Sequence, residues 1–351
     1  MDSPPIAVIV DPPTWAAGNR DWIDLEEPMS VTTAVSVSDR DDQALTSGAA
    51  VLPRPHFGVL RLRERDRVDF LQRMTTNDIA CLQPGQAAVT ILTSPTARIE
   101  AVFSVLCRQD DLMLLASEGQ ADDLRHRLQS QIFFMDKVTV TDDSAELGRL
   151  RLLGHLVADL LQAVGLPQPE SDDQFLESDG FSILWQERYD LPGFEIIGPA
   201  GEIAALQERL AGAGAVVLVG NDSYEARRVE LGRPLPGKEL TDAFTPLESG
   251  MAWVCAENKG CYTGQEIIAR QLTYDKVTRS LVRLRSELPL PEGATVSVNK
   301  RSVGTVTSSA HSPSAGPAAL AVLKRPHNVQ GAEVTIEGIA AYVEQISLPS
   351  I

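Results

Sequence analysis

A chain of 351 residues, 43% apolar and 23% charged, has the makeup of a globular protein of two or three packed units. Its formal net charge of −17 opposes attachment to phosphate backbones, so direct nucleic-acid binding is not expected. No run approaches the roughly 18 apolar residues of a membrane helix. The acidic start lacks the basic region of a secretory signal and the arginines of a mitochondrial presequence, which leaves a cytoplasmic address. The four cysteines (Cys81, Cys107, Cys255, Cys261) contain no CxxC and the histidines are scattered, so neither a disulfide framework nor a protein-held metal is expected.

In chain order, residues 1–50 are rich in Pro, Asp, Ser and Thr, carry a net charge of −7, and read as an acidic disordered extension. Order is expected from about Phe57. The alternation at 57–63 reads as a strand, followed by a short helix with Asp66 as N-cap and Val68, Leu71 and Met74 turned inward. Strands are expected at 87–93, 99–107, 112–116 and 137–141, with a helix at 120–131. The pattern then recurs: strands at 150–153, 181–185, 194–197 and 216–219, helices at 155–164 and 202–210. Interleaving of this kind predicts an α+β body over 51–276 built of two related halves. From 277 to 351 short alternating runs at 281–284, 295–298, 303–306, 320–323 and 333–336 are broken by Pro and Gly, which predicts a small C-terminal β-barrel.

The segment Lys259-Gly260-Cys261-Tyr262-Thr263-Gly264-Gln265-Glu266 precedes an apolar helical run. Thr263 and Glu266 fit a capping box, and the glycines allow close backbone approach to a ligand. Cys261 would lie just before a helix N-terminus and two residues from Lys259, and both features favour thiolate. Two readings stand on these residues alone: Cys261 as a reactive sulfur assisted by Lys259, or Cys261 as a packed thiol with Glu266 only capping.

All eight positions of 259–266 resemble the KGCYxGQE signature of the folate-binding YgfZ proteins of iron–sulfur assembly, and Ala269-Arg270 continues it. Residues 67–78 with their Thr76-Asn77-Asp78 ending, the Arg228–Pro234 stretch, the 245–250 stretch and residues 304–321 are similar to further segments of that family and of the wider glycine-cleavage T-protein superfamily. The resemblance implies a three-lobed T-protein-like fold around a central opening for tetrahydrofolate. Glu195 in Gly193-Phe194-Glu195 would grip the pterin with two parallel hydrogen bonds, Arg228 would be its charged neighbour, and Phe57, Tyr189 and Tyr224 would contact the flat rings. Tyr262, Gly264, Gln265, Glu266 and Arg270 are the remaining motif positions. The implied partners are iron–sulfur assembly factors or cluster-containing client enzymes, including the radical type that modifies tRNA.

One departure matters. Aminomethyltransferases of the superfamily carry an Asp in a G-G-I-x-D segment, and Ala101 stands at that position here. Loss of a placed base disfavours the glycine-cleavage reaction. The leading expectation is therefore a tetrahydrofolate-binding accessory protein in iron–sulfur cluster assembly or repair. The alternatives are a folate-dependent aminomethyltransferase or demethylase using Glu100 or Glu248 as surrogate base, and a non-catalytic folate sensor.

Overall fold

The computed structural model describes residues 37–213 and 216–346. Helix α1 (Asp39–Thr46) opens it, its first turn capped by Ser38, whose hydroxyl accepts from the Asp41 amide. Strands β1 (Ala49–Pro53) and β2 (Phe57–Arg63), helix α2 (Arg67–Met74), strands β3 (Ala87–Thr93), β4 (Ile99–Cys107) and β5 (Leu112–Glu118), helix α3 (Ala121–Ser130) and strand β6 (Thr139–Asp142) follow. Next come β7 (Leu147–Leu153), α4 (Val157–Ala163), β8 (Phe175–Ser178), β9 (Phe181–Gln186), β10 (Gly193–Pro199), α5 (Ala200–Gly212), β11 (Val216–Leu218), α6 (Asn221–Leu231) and α7 (Gln265–Thr273). The chain ends in β12 (Arg279–Ser286), β13 (Thr295–Val298), β14 (Arg301–Ser312), β15 (Gly316–Lys324), β16 (Glu333–Ile336) and β17 (Ile339–Glu344).

These elements form a five-stranded sheet in the order β3-β4-β5-β2-β6, a six-stranded sheet in the order β11-β1-β7-β10-β9-β8, and a closed barrel β12-β15-β14-β13-β16-β17. Strand alternation explains the layers. On β2, Leu60 and Leu62 face α2 and α3 with Phe70, Leu71, Leu124 and Leu128, whereas Val59 points the other way. On β7 and β10, Leu150, Leu152, Phe194 and Ile196 face α4 and α5, where Ile203, Leu206 and Leu210 present one helical stripe. The opposite faces of the two sheets meet in a core of Val59, Leu106, Met113, Leu115, Phe175, Leu184 and Ile197. β4 is consequently covered on both sides, and all its residues but Glu100 are buried.

Two expectations need correction. Residues 37–50, read as part of the disordered extension, form α1 and the start of β1; residues 1–36 lie outside the described residues. β1 also belongs to the second sheet, paired parallel to β11 and antiparallel to β7, so the chain enters the second half before building the first. Asp66 does stand at the start of α2, yet its carboxylate accepts from the Lys137 amide rather than capping. β8, β17 and α6 are elements the periodicity did not suggest, being short or, for α6, of weak amphipathicity, whereas α7 is the helical run expected after the cysteine segment.

The barrel is filled by Val282, Leu284, Val296, Val306, Ala319, Ala321, Leu323 and Val343. It is fastened to the body by Arg228 of α6, fully buried, which donates to Glu239 (3.0 Å), to Ser308 Oγ on β14 (2.6 Å) and to Glu225. Glu248, held by Arg98 and by Arg279 Nε (2.6 Å) of β12, makes a second tie.

Candidate ligand cavity and cysteine loop

β7 alternates Arg149 and Arg151 with apolar residues and β10 carries a single charge, Glu195, and in the six-stranded sheet these charges point into the space between the sheets rather than to water. Glu195 on β10 is paired in register with Arg151 on β7. Its carboxylate accepts from Arg149 Nε at 2.7 Å and Arg54 Nη1 at 3.1 Å, with Arg151 Nη1 at 3.7 Å. Asp190 accepts from Arg54 Nη2 at 2.5 Å, from the Tyr224 hydroxyl at 2.8 Å and from the Leu191 amide. All five charged side chains are at least 93% buried. Such burial is tolerable only because each charge meets a partner. Burial alone would raise the Asp190 carboxyl, but Arg54 and Arg151 hold it well below the usual carboxylate range. The Tyr224 and Tyr189 hydroxyls are pushed up, mainly by burial.

Gly193 makes this geometry possible. A Cβ there would lie 2.0 Å from the Leu152 carbonyl oxygen, so only glycine lets β10 approach β7 closely enough to set Glu195 opposite Arg151.

Above the cluster lies a cavity of about 270 Å³ whose walls include Arg54, Phe57, Arg149, Tyr189, Asp190 and Tyr224. The Arg54 guanidinium stacks 4.6 Å from the Phe57 ring centre and 5.7 Å from that of Tyr224. Phe57, Tyr189 and Tyr224 are thus brought together as walls of one cavity. Glu195 is not: it lies behind Arg54 and Arg149, both lone-pair faces engaged, and does not line the cavity. Arg228 is also elsewhere, turned toward the barrel with Glu239 and Ser308, because burial without solvent forces it onto those acceptors.

The other motif forms a separate surface loop that shares no residue with the cavity walls. Cys261 is exposed. Lys259 turns inward and donates its ammonium to the Thr75 (2.6 Å) and Asn77 carbonyls, 5.1 Å over the Tyr262 ring. Partial burial lowers it to about 8, opposed by Asp78. The segment at Thr75–Asp78 and the cysteine loop therefore meet, joined also by Thr76 Oγ1 donating to the Val254 carbonyl. Lys259 is committed to these carbonyls rather than directed at Cys261, which corrects the expected pairing.

The capping box does not form either. α7 begins at Gln265 with Gly264, at φ +83°, as its N-cap, and Glu266 is exposed with Arg270 Nη1 at 3.7 Å. A Cβ on Gly264 would lie 2.8 Å from the Ser94 carbonyl oxygen, so the glycine lets the loop rest on the β3–β4 turn, where Thr93 Oγ1 donates to the Thr263 carbonyl. Tyr262 is buried with Ala97, Leu247, Cys255 and Ile268. Gly264, Gln265, Glu266 and Arg270 line a groove with Pro95.

The surrogate bases fare poorly. Glu100 is the extra residue of a bulge between β3 and β4 and pairs with Arg127 on the outer face. Glu248 is the barrel tie. Ala101 packs toward Phe70 and Phe103, and β4 presents Ser104 to the cavity instead. Sequence reasoning missed Arg54, Arg149, Arg151 and Asp190. The signal was the alternation Arg149-Leu150-Arg151-Leu152, which marks a strand with one charged face but not what faces it.

Comparison with known proteins agrees with this architecture. Residues 19–179 match the GCVT N-terminal domain and residues 279–344 the glycine cleavage T-protein C-terminal barrel domain. The "Putative transferase At1g60990, chloroplastic" of Arabidopsis thaliana is 31% identical over 77% of this chain, which spans 64% of that protein's length. The mitochondrial aminomethyltransferase of Gallus gallus is 29% identical over 80% of this chain and 76% of its own. The crystal structure of the glycine cleavage system aminomethyltransferase T from Bartonella henselae superposes with a TM-score of 0.81 at 26% identity, covering 88% of both chains. No helix among the described residues is long and apolar enough to cross a membrane. With both T-protein domains in place and the T-protein fold complete through its closed six-stranded barrel, the chain is aminomethyltransferase-like in architecture.

Proposed function

We propose that this chain is a cytoplasmic tetrahydrofolate-binding accessory protein in iron–sulfur cluster assembly or repair, of the YgfZ type, working through Cys261. The observation that carries the reading is the division of labour between two sites. An aromatic-walled cavity can hold a flat ligand, while an exposed thiol sits on a separate loop whose eight residues resemble the YgfZ signature.

Phe57, Tyr189 and Tyr224 suit stacking on the rings of a folate, and Arg54 and Arg233 add positive charge to the same wall. Bound there, tetrahydrofolate would supply a one-carbon carrier. The chain's own part is to stack the rings, supply donors and shield the floor with the arginine–carboxylate cluster. Lys259 and Tyr262 support the loop from within and leave Cys261 at the surface, where a client protein can reach it.

Cys261→Ser should bind tetrahydrofolate as wild type does but fail to restore a cluster-dependent enzyme in cells lacking the protein. Full rescue by Cys261→Ser rejects the role given to the thiol.

An aminomethyltransferase-type enzyme is the second reading, favoured by the similarity to the aminomethyltransferases of Gallus gallus and Bartonella henselae. It requires a free base at the cavity, whereas the floor carboxylates Asp190 and Glu195 are both held by arginines. Turnover of an aminomethyl donor in the presence of tetrahydrofolate would establish it.

A further inference from the structure

Among the described residues, large apolar side chains at the surface stand singly, with one exception. Phe133, Phe134 and Met135 follow one another between α3 and β6 and are 66%, 92% and 69% exposed. Single apolar residues are ordinary at a protein surface, but a run of three is not. The centre of a turn usually falls to Gly, Asn, Asp or Pro, and here Phe134 and Met135 hold it. The turn is also braced. Asp136 donates its amide to the Phe133 carbonyl at 2.9 Å, and its carboxylate accepts from the Phe133 amide at 2.9 Å and from Arg73 of α2. Just beyond, the Lys137 amide donates to the Asp66 carboxylate and the Lys137 carbonyl accepts from the Asp66 amide. Ile132 and Val138 pack inward at either foot, on the core beneath α2 and α3. A loop held in this way keeps its three apolar side chains projecting.

The charges at its base balance. Arg65, Arg73 and Lys137 stand with Asp66, Asp69 and Asp136, linked by the Arg65–Asp66 pair at 3.0 Å, the Arg73–Asp69 pair at 3.1 Å and the Arg73–Asp136 pair. The ring is therefore neutral in a chain whose net charge is −17. Two such chains repel one another over most of their surfaces, and their approach is least opposed where the local charge vanishes. A two-fold contact further requires that one patch complement itself, which equal numbers of both signs around an apolar centre allow. An anionic bilayer gains no net attraction from the same ring.

We infer that this turn is the centre of a two-fold interface between copies of the chain, with Phe133, Phe134 and Met135 of one protomer packed on those of its partner inside a rim of the six charges. The three side chains offer on the order of 400 Å² of apolar surface. At the roughly 65% apolar share of homodimer contacts, that centre implies about 600 Å² per protomer, the lower end of specific interfaces. A contact of this size supports a reversible dimer with a dissociation constant of about micromolar order. The inference stands apart from the folate and iron–sulfur reading, since neither the cavity walls nor the cysteine loop takes part.

The test is sedimentation velocity of the full chain, in which wild type should pass from monomer to dimer between about 1 and 200 µM. In Phe134→Ser both copies change at once, so a loss of about tenfold or more per side becomes about a hundredfold, and the variant should remain monomeric. Phe134 is almost fully exposed in the single chain, so an unchanged melting temperature of dilute protein should set this loss apart from misfolding. Added salt should strengthen the dimer, because it screens the repulsion between two acidic chains. Amide exchange at 131–138 should slow as concentration rises through the dissociation constant. A wild type that stays monomeric at about 200 µM, or a Phe134→Ser protein that dimerises as wild type does, overturns the inference. So does a monomeric wild type that binds vesicles of phosphatidylcholine and phosphatidylglycerol through Phe134, which gives the turn to a bilayer. A monomeric wild type whose rescue of a cluster-dependent enzyme is lost in Phe134→Ser overturns it as well, and gives the turn to another protein.

Discussion

Replacing Glu195 by Gln keeps the volume and one acceptor but removes the charge that Arg54, Arg149 and Arg151 share. The side chain is 1% exposed, and its partners stand at 2.7, 3.1 and 3.7 Å. Three buried guanidinium groups would then face Asp190 alone. Breaking a buried ionic set by removing one partner costs about 3–5 kcal/mol, because the remaining charge stays desolvated and unpaired. In a chain of 351 residues that lowers the melting temperature by about 1.4 °C per kcal/mol, so by roughly 4–7 °C. A carboxylate whose only task is to grip a ligand predicts the opposite for the ligand-free protein, a change near zero. Urea unfolding and scanning calorimetry at neutral pH, without ligand, distinguish the two. Arg149→Met/Glu195→Gln should recover part of the loss, since the double change removes one charge of each sign. A loss below about 1 kcal/mol would refute the view that Glu195 is an internal structural counter-ion.

With Ellman's reagent, Cys261 and Cys81 should react in the native protein, Cys81 more slowly because burial and Asp78 push its thiol up. Cys107 and Cys255, the latter pushed to about 12 by burial, should react only after unfolding. Lys259 is lowered to about 8, so above that pH the unfolded chain binds more protons than the folded one, up to its ordinary value near 10.5. Wild type should therefore gain stability relative to Lys259→Met as pH rises from 8 to 10.5, and a flat difference would contradict the burial of the ammonium. Gly264→Ala should cost about 1–2 kcal/mol from its left-handed φ, and more from the contact with Ser94. Faster hydrogen exchange at 255–270 would show the loop lifting from the β3–β4 turn.

The elements that periodicity named, such as β3, β4, α3 and α5, are those whose burial is decided by their own pattern of apolar residues. The barrel was legible for a related reason: short alternating runs punctuated by Pro and Gly leave few other closures. β1 was not legible, since Ala49–Pro53 is a short run whose only reason to be a strand is β7 on one side and β11 on the other. The site divided likewise. Phe57, Tyr189 and Tyr224, which the resemblance named together, line one cavity. Glu195 and Arg228 were assigned to each other, but their partners are fixed by tertiary placement: Arg149 and Arg151 one strand away, Glu239 and Ser308 across to the barrel. Thr263 failed as a cap because the tight rest on Ser94 demands a glycine at the position where the helix begins.

The early position of β1 governs how the chain is made. Ala50 aligns with Leu153 and Ala49 with Val216, so the first of the described strands to leave the ribosome waits for partners about a hundred and more residues behind it. At 5–20 residues per second that is roughly 5–20 s during which Ala49–Pro53 has no neighbour while the β2–β6 sheet can already close. The second lobe thus cannot be born as an independent unit after the first; it closes around a segment synthesised before either. A break in the chain anywhere between Pro53 and Leu147 would leave β1 covalently detached from the sheet it completes, and holding such halves together would depend on affinity instead of connectivity.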